Sequence, residues 1–234
     1  MGRIVFITGG SSGYGKAMAG KFVKNGDTVI IAARHEDKLA EAKRDTGCAD
    51  MFVMDVTSPA DWEKAYDFVM KKYGTVDILI NNAGSGVAIK DVTDQSIEDI
   101  DRCIKLNLNS VIYGSRQFAP VMKKNKSGTI INTSSVCARQ CWPAWSVYAA
   151  AKAGVLNFSK GLYTELQPDN VRVTCVIPAA ASTGFQKGAG IGEVDNILSV
   201  DDIADTVLYV CNLPARAVVE DVTVWGIDQV VNPL

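Results

Sequence analysis

Thr8-Gly9-Gly10-Ser11-Ser12-Gly13-Tyr14-Gly15 lies between an apolar run at 4–8 and a stretch of helical period at 15–25. Four glycines in eight residues belong neither to a strand nor to a helix interior, where each costs about 1 kcal/mol against alanine. Between a strand and a helix they form a tight turn whose backbone can approach a ligand closely. The helix that follows aims free N–H groups and its positive dipole end into that turn. A strand, a glycine cradle suited to phosphate and a helix together make the opening of a βαβ repeat.

The rest of the chain continues that alternation. Apolar, β-branched runs recur at 28–32, 51–55, 78–81, 128–134, 172–177 and 222–224. They are continuous rather than alternating, as strands are when both faces of a parallel sheet are covered. Segments of helical period fill the gaps at 35–46, 59–73, 96–125, 147–166 and 200–212. Ser58-Pro59 places a cap before a proline at the first helical position. Ser199 precedes Asp201 and Asp202, acids suited to a helix's first turn. The expected fold is an α/β, Rossmann-type doubly wound parallel sheet of about seven strands. No repeat or linker divides it, so residues 1–234 read as one domain.

Composition narrows the function. A net charge of −2 without a basic block argues against nucleic-acid binding. No apolar run approaches the roughly 18 residues of a membrane span, and the N-terminus enters a strand at once, so no signal peptide is expected. Gly2 is followed by Phe6 where a myristoylation signal needs Ser or Thr. The six cysteines, at 48, 103, 137, 141, 175 and 211, form no C-x-x-C pair, and His35 is the single histidine. No metal site is expected, and free thiols fit a cytoplasmic protein.

The strand ends carry the candidate chemistry, since ligands of open α/β sheets bind at that rim. The second strand ends Ala32-Ala33-Arg34, with no acid to accept from ribose hydroxyls. Arg34 can fork onto a 2′-phosphate, with Ser11 and Ser12 beside it, which favours NADP(H) over NAD(H). Tyr148 and Lys152 stand four residues apart and so share a helix face. A neighbouring ammonium favours the phenolate of a group whose pKa is ordinarily about 10, and a phenol so placed can exchange a proton with a reacting oxygen. Ser135, at the end of the fifth strand, can hold that oxygen by a hydrogen bond.

The joint order of the glycine loop, Asp55, Asn81-Asn82-Ala83-Gly84, Asn107, Ser135, Tyr148 and Lys152 resembles the short-chain dehydrogenase/reductase family, from Thr8 to the last strand. The resemblance implies an NADP(H)-dependent enzyme that interconverts a carbonyl and an alcohol by hydride transfer, with Tyr148 as acid and base. It implies that Gly9, Ser11, Ser12, Gly13, Tyr14 and Gly15 bind the cofactor's phosphates. Asp55 and Val56 would meet its adenine end, and Asn82, Ala83, Gly84, Pro178 and Thr183 the remainder. Tyr148 and Lys152 would also contact it. Asn107 would prop a water linking Lys152 to solvent. Two positions depart from the pattern. Ala179 follows Pro178 where the family usually has glycine approaching the nicotinamide. Tyr14 replaces an aliphatic residue, either as packing or as a cover on the cofactor.

Specificity is expected between Ser135 and Tyr148, where Cys137, Trp142 and Trp145 suggest an apolar pocket wall, or else a packed interface. A glycine-rich lid is expected at 183–199. The compact chain and its Ala-Arg strand end resemble the bacterial 3-hydroxy acid and serine dehydrogenase branch. 3-Oxoacyl thioester reductases and steroid dehydrogenases share the same core residues, and a non-catalytic NADPH-binding regulator would share the fold. The long helical segments 96–125 and 147–166 imply, by the same resemblance, a homo-oligomer of two-fold symmetry, a tetramer or a dimer.

Overall fold

Each apolar run forms a strand: β1 Ile4–Thr8, β2 Thr28–Ala33, β3 Asp50–Val53, β4 Ile78–Asn81, β5 Gly128–Thr133, β6 Val171–Pro178 and β7 Asp221–Val224. The structure, a computed structural model, describes residues 2–181 and 198–229. All seven strands are parallel, in the order β3-β2-β1-β4-β5-β6-β7. The order reverses between β1 and β4, and the carboxyl ends of these two strands flank the switch point where such sheets take their ligands.

The helices are α1 Gly13–Lys24, α2 Glu36–Thr46, α3 Pro59–Tyr73, α4 Ile97–Ile104, α5 Ser110–Asn125, α6 Ser146–Leu166 and α7 Val200–Cys211. Successive strand residues divide between the two faces of the sheet. Val5, Ile7, Val29 and Ile31 pack with Met18, Phe22, Leu39 and Val207 of α1, α2 and α7. Phe6, Ile30, Leu79 and Ile130 pack with Trp62, Val69, Phe118 and Leu162 of α3, α5 and α6. Both faces are covered, which is why the strands lack hydrophilic alternation. The caps form as expected: Ser58 accepts from Asp61 N–H, and Ser199 and Asp202 make a reciprocal capping box.

The segment 96–125 is not one regular helix. A π-helical turn, Lys105–Asn109, separates α4 from α5. Asn107 lies in it, and its Nδ2 donates at 3.1 Å to the Cys103 carbonyl one α-turn back. Turns of this kind break the α-helical ladder and recur at functional sites. β3 also stops earlier than expected, at Val53, so Asp55 lies in the turn before α3.

Candidate active site

β1 delivers the chain into the glycine loop, and the loop's geometry depends on two of its glycines. Gly9 has a φ of +69°, and a Cβ there would stand 2.9 Å from Asn82 Nδ2. A Cβ on Gly15 would stand 2.2 Å from the Gly9 carbonyl oxygen. Loop, helix and the turn after β4 therefore pack backbone to backbone. Ser12 is the N-cap of α1, yet its side chain makes no capping bond, leaving its hydroxyl uncommitted to the helix.

The turn after β4 supports the loop from below. The N–H groups of Asn82 and Ala83 donate to Thr8 Oγ1 at 3.0 and 3.1 Å, and Asn82 Nδ2 donates to the Thr8 carbonyl at 3.0 Å. The Asn82 side chain is thus committed to Thr8. Thr8 is the residue that sequence reasoning left out of the site, although it opens the glycine motif. Arg34 is exposed just beyond β2. Asp55 Oδ1 accepts from the N–H and hydroxyl of Thr57, both at 2.8 Å, which fixes its carboxylate on the same rim. Val56 is buried on the α3 side, and its carbonyl accepts from Trp62 Nε1.

The four expected catalytic residues converge. Ser135 follows β5 and opens a short 3-10 turn, Val136–Ala138, its Oγ accepting from Cys137 N–H at 3.2 Å. Tyr148 and Lys152 lie on the buried face of α6, as their spacing required. Ser135 hydrogen-bonds the Tyr148 side chain. Lys152 Nζ lies 5.6 Å from the centre of the Tyr148 ring and donates to the Thr133 carbonyl at 2.9 Å. Ser134 Oγ donates to the Lys152 carbonyl at 2.8 Å, tying α6 to the end of β5. Asn107 Oδ1 accepts from Ser85 N–H, and its Nδ2 donates to the Ser85 carbonyl. Gly84 joins the two halves, because a Cβ there would stand 2.9 Å from Asn107 Oδ1 and 3.3 Å from Lys152 Nζ.

Burial dominates the electrostatics. It raises the Tyr148 phenol well above the usual tyrosine range, reinforced by the nearby Cys137 thiol and opposed by the Ser135 bond. It pushes the Lys152 ammonium down to about 8, against the nearby thiols of Cys175, Cys103 and Cys137. The protein's own groups therefore hold Tyr148 as a neutral phenol, a proton donor.

The expected pocket residues lie on one side of this cluster. The Trp145 ring meets the Tyr148 ring edge-on, with centroids 5.5 Å apart and planes at 74°. Cys137, Val87, Cys103 and Val147 form an apolar cluster with Tyr148, against which Trp142 and Trp145 pack. Ala144 turns the chain into α6 with a φ of +70°, a strained value for a residue with a Cβ. Pro178 ends β6 and is buried, while Thr183 and all of the expected lid except Leu198 and Ser199 lie outside the described residues. No group of three or more metal-ligating side chains occurs among the described residues, and no helix there is long and apolar enough to cross a membrane.

The cleft rim fits a nicotinamide dinucleotide: a glycine cradle at a helix start, an uncommitted Ser12 hydroxyl, and Gly84 leaving room over Lys152. Comparison with known proteins agrees. Residues 3–193 match the family described as short chain dehydrogenase. An uncharacterized oxidoreductase of Staphylococcus epidermidis is 30% identical over 223 residues, covering 95% of this chain and 96% of the relative. A (+)-borneol dehydrogenase 2 of Salvia officinalis is 35% identical over 189 residues, covering 79% and 67%. The closed form of serine dehydrogenase complexed with NADP+ superposes with a TM-score of 0.92 at 29% identity, covering 99% and 98%. The chain belongs to the short-chain dehydrogenase/reductase family and is an oxidoreductase.

Proposed function

We propose that the protein interconverts a carbonyl and an alcohol with NADP(H), using Tyr148 as the acid and base. The observation that carries this reading is the convergence of Ser135, just past β5, with Tyr148 and a buried Lys152 on α6, against Gly84 just past β4. Bound NADP(H) supplies the hydride and, when oxidised, a positive ring that favours the phenolate. In reduction Tyr148 Oη gives its proton to the substrate oxygen; in oxidation it takes that proton back. Ser135 Oγ holds the same oxygen against Tyr148. Lys152 supplies the positive charge behind the phenol, and Asn107 fixes the backbone at Ser85 beneath it. Retention of both Tyr148 and Lys152 favours an enzyme over a non-catalytic NADPH-binding regulator.

Arg34 supports NADP(H) over NAD(H), since an exposed guanidinium at this strand end suits a 2′-phosphate. The serine dehydrogenase neighbour was solved with NADP+. The apolar cluster beside Tyr148 favours a ketone, aldehyde or alcohol with an apolar body next to the reacting carbon. Six unpaired thiols fit a reducing, cytoplasmic setting, and we infer a two-fold homo-oligomer built on α5 and α6. The test is NADPH oxidation, followed by absorbance, against a panel of ketones, aldehydes, keto acids and acyl thioesters. NADPH-dependent reduction of at least one apolar ketone or aldehyde is expected. A protein that binds neither NADPH nor NADH refutes the reading.

A further inference from the structure

The two residues that depart from the family pattern touch each other. Tyr14, in the glycine loop, donates from Oη to the carbonyl of Ala179 at 3.4 Å, across 165 residues of chain. Its ring packs partly buried against the core that contains Ala179, Ala181 and Val136. The tyrosine thus spans from the first turn of α1 to the backbone just past β6. One end of that span belongs to the phosphate cradle. The other adjoins the catalytic strand ends, since β6 pairs with β5 up to Thr133 and Ser134 N–H donates to the Val176 carbonyl.

The peptide groups that Tyr14 reaches are held from three other sides. Ala179 N–H donates to the Val224 carbonyl at 2.9 Å. The Ala180 carbonyl accepts from Gln229 Nε2 at 2.8 Å and from Leu198 N–H at 3.3 Å. The Ala179 carbonyl is held by Tyr14. Ala179 is itself buried, so its methyl group takes up space beside the site that a glycine would leave open. Burial raises the Tyr14 phenol above the usual tyrosine range, so it stays a neutral donor.

We propose that Tyr14 is a positioning residue for the nicotinamide end of the cleft: its Oη tethers the Ala179 carbonyl and so fixes the backbone beside the reacting centre. The proposal rests on the nicotinamide-dependent reading above. The tether compensates for the alanine. Where glycine would let the backbone lie close to the cofactor, here a side chain from the glycine loop sets where that backbone stands. A buried hydroxyl needs an acceptor, so the tyrosine and the carbonyl hold each other in register.

The test is Tyr14→Phe in the full-length protein, which keeps the ring and removes only the donor. Five quantities are measured: the melting temperature, the Kd for NADPH, the fluorescence yield of the bound nicotinamide, and kcat and KM with a carbonyl taken from the panel. The expected result is a melting temperature and NADPH Kd close to wild type, an altered fluorescence yield, and a kcat lowered about three- to tenfold, the worth of one hydrogen bond. A variant with wild-type fluorescence and wild-type kcat overturns the tether while leaving the proposed function intact. A variant whose Kd and melting temperature both collapse also overturns it, because Tyr14 then serves the loop's fold rather than the reacting end. A wild-type protein that binds no NADPH overturns both readings.

Discussion

Lys152 Nζ donates to the Thr133 carbonyl at 2.9 Å while lying 5.6 Å from the centre of the Tyr148 ring. The ammonium is held by a neutral backbone acceptor in a buried position, without a carboxylate partner among the described residues. That is a costly place for a charge, and a charge kept at such a cost is a mark of a working site.

The cost makes a stability prediction. Burial lowers the Lys152 pKa from 10.5 to about 8. Between those values the unfolded chain binds more protons than the folded one, so this group makes stability rise with pH across that window. Below about pH 8 the full penalty is present, on the order of 3 kcal/mol. Lys152→Met removes the charge and leaves the stem. Near neutral pH the variant is expected to be inactive yet at least as stable as wild type in urea. Its margin should shrink as pH rises from about 8 toward 10.5. A variant less stable than wild type at every pH counts against a strained ammonium.

Gly114 in α5 offers a test of the packing behind the site. A Cβ there would stand 2.4 Å from Asn81 Oδ1 and 2.6 Å from the Trp62 ring. Both neighbours are buried, and Asn81 Nδ2 is already bonded to Asn132 Oδ1 and Ser115 Oγ. Neither can move without breaking contacts. Gly114→Ala is expected to destabilise by about 1–3 kcal/mol through overpacking, despite the better helix propensity of alanine. Thermal unfolding that matches or exceeds wild type would contradict the geometry.

Arg34→Ala tests cofactor choice. A guanidinium on a phosphate is worth about 1.5–3 kcal/mol, or roughly ten- to a hundredfold in Kd. The loss should fall on NADPH and leave NADH nearly unchanged, because only NADPH carries the 2′-phosphate. Titration of both cofactors against wild type and variant reads this directly. Equal weakening of the two would assign Arg34 to general electrostatics instead.

Much of this was legible in the chain itself. The strands could be read because each is covered on both faces, so its run of β-branched residues is uninterrupted. Tyr148, Lys152 and Ser135 could be read because the joint order of motifs resembles the short-chain dehydrogenase/reductase family; helix spacing alone puts Tyr148 and Lys152 on one face without marking them as functional. What was not legible depends on contacts between distant segments. The π turn at Asn107, whose side chain bonds to Ser85 and Cys103, leaves no mark on helical periodicity. The commitment of Asn82 to Thr8 needs β1 and β4 to be neighbours, a fact of strand order. The Tyr14–Ala179 contact joins two positions that the sequence marks only as separate oddities.

The proposed chemistry stands or falls on Tyr148, and its partner Ser135 supplies a second readout. Tyr148→Phe keeps the ring and its edge-on contact with Trp145, but removes the transferable proton. Turnover of any accepted carbonyl should fall by about two to four orders of magnitude, the usual worth of a positioned acid or base. NADPH affinity should change little, because the proposed phosphate cradle is the glycine loop and not Tyr148. Ser135→Ala should also lower turnover and spare NADPH binding. It should in addition shift the pH profile. Alcohol oxidation needs the phenolate, so its rate rises with pH through the Tyr148 pKa. Burial raises that pKa, and the Ser135 hydrogen bond pulls it back down. Removing the bond should therefore move the rise in oxidation rate to higher pH, while the same profile for a distant surface variant stays in place. A Ser135→Ala enzyme that is slow but has an unmoved profile would reduce Ser135 to a substrate holder. A Tyr148→Phe enzyme that binds NADPH and turns over near the wild-type rate would refute the acid–base assignment altogether.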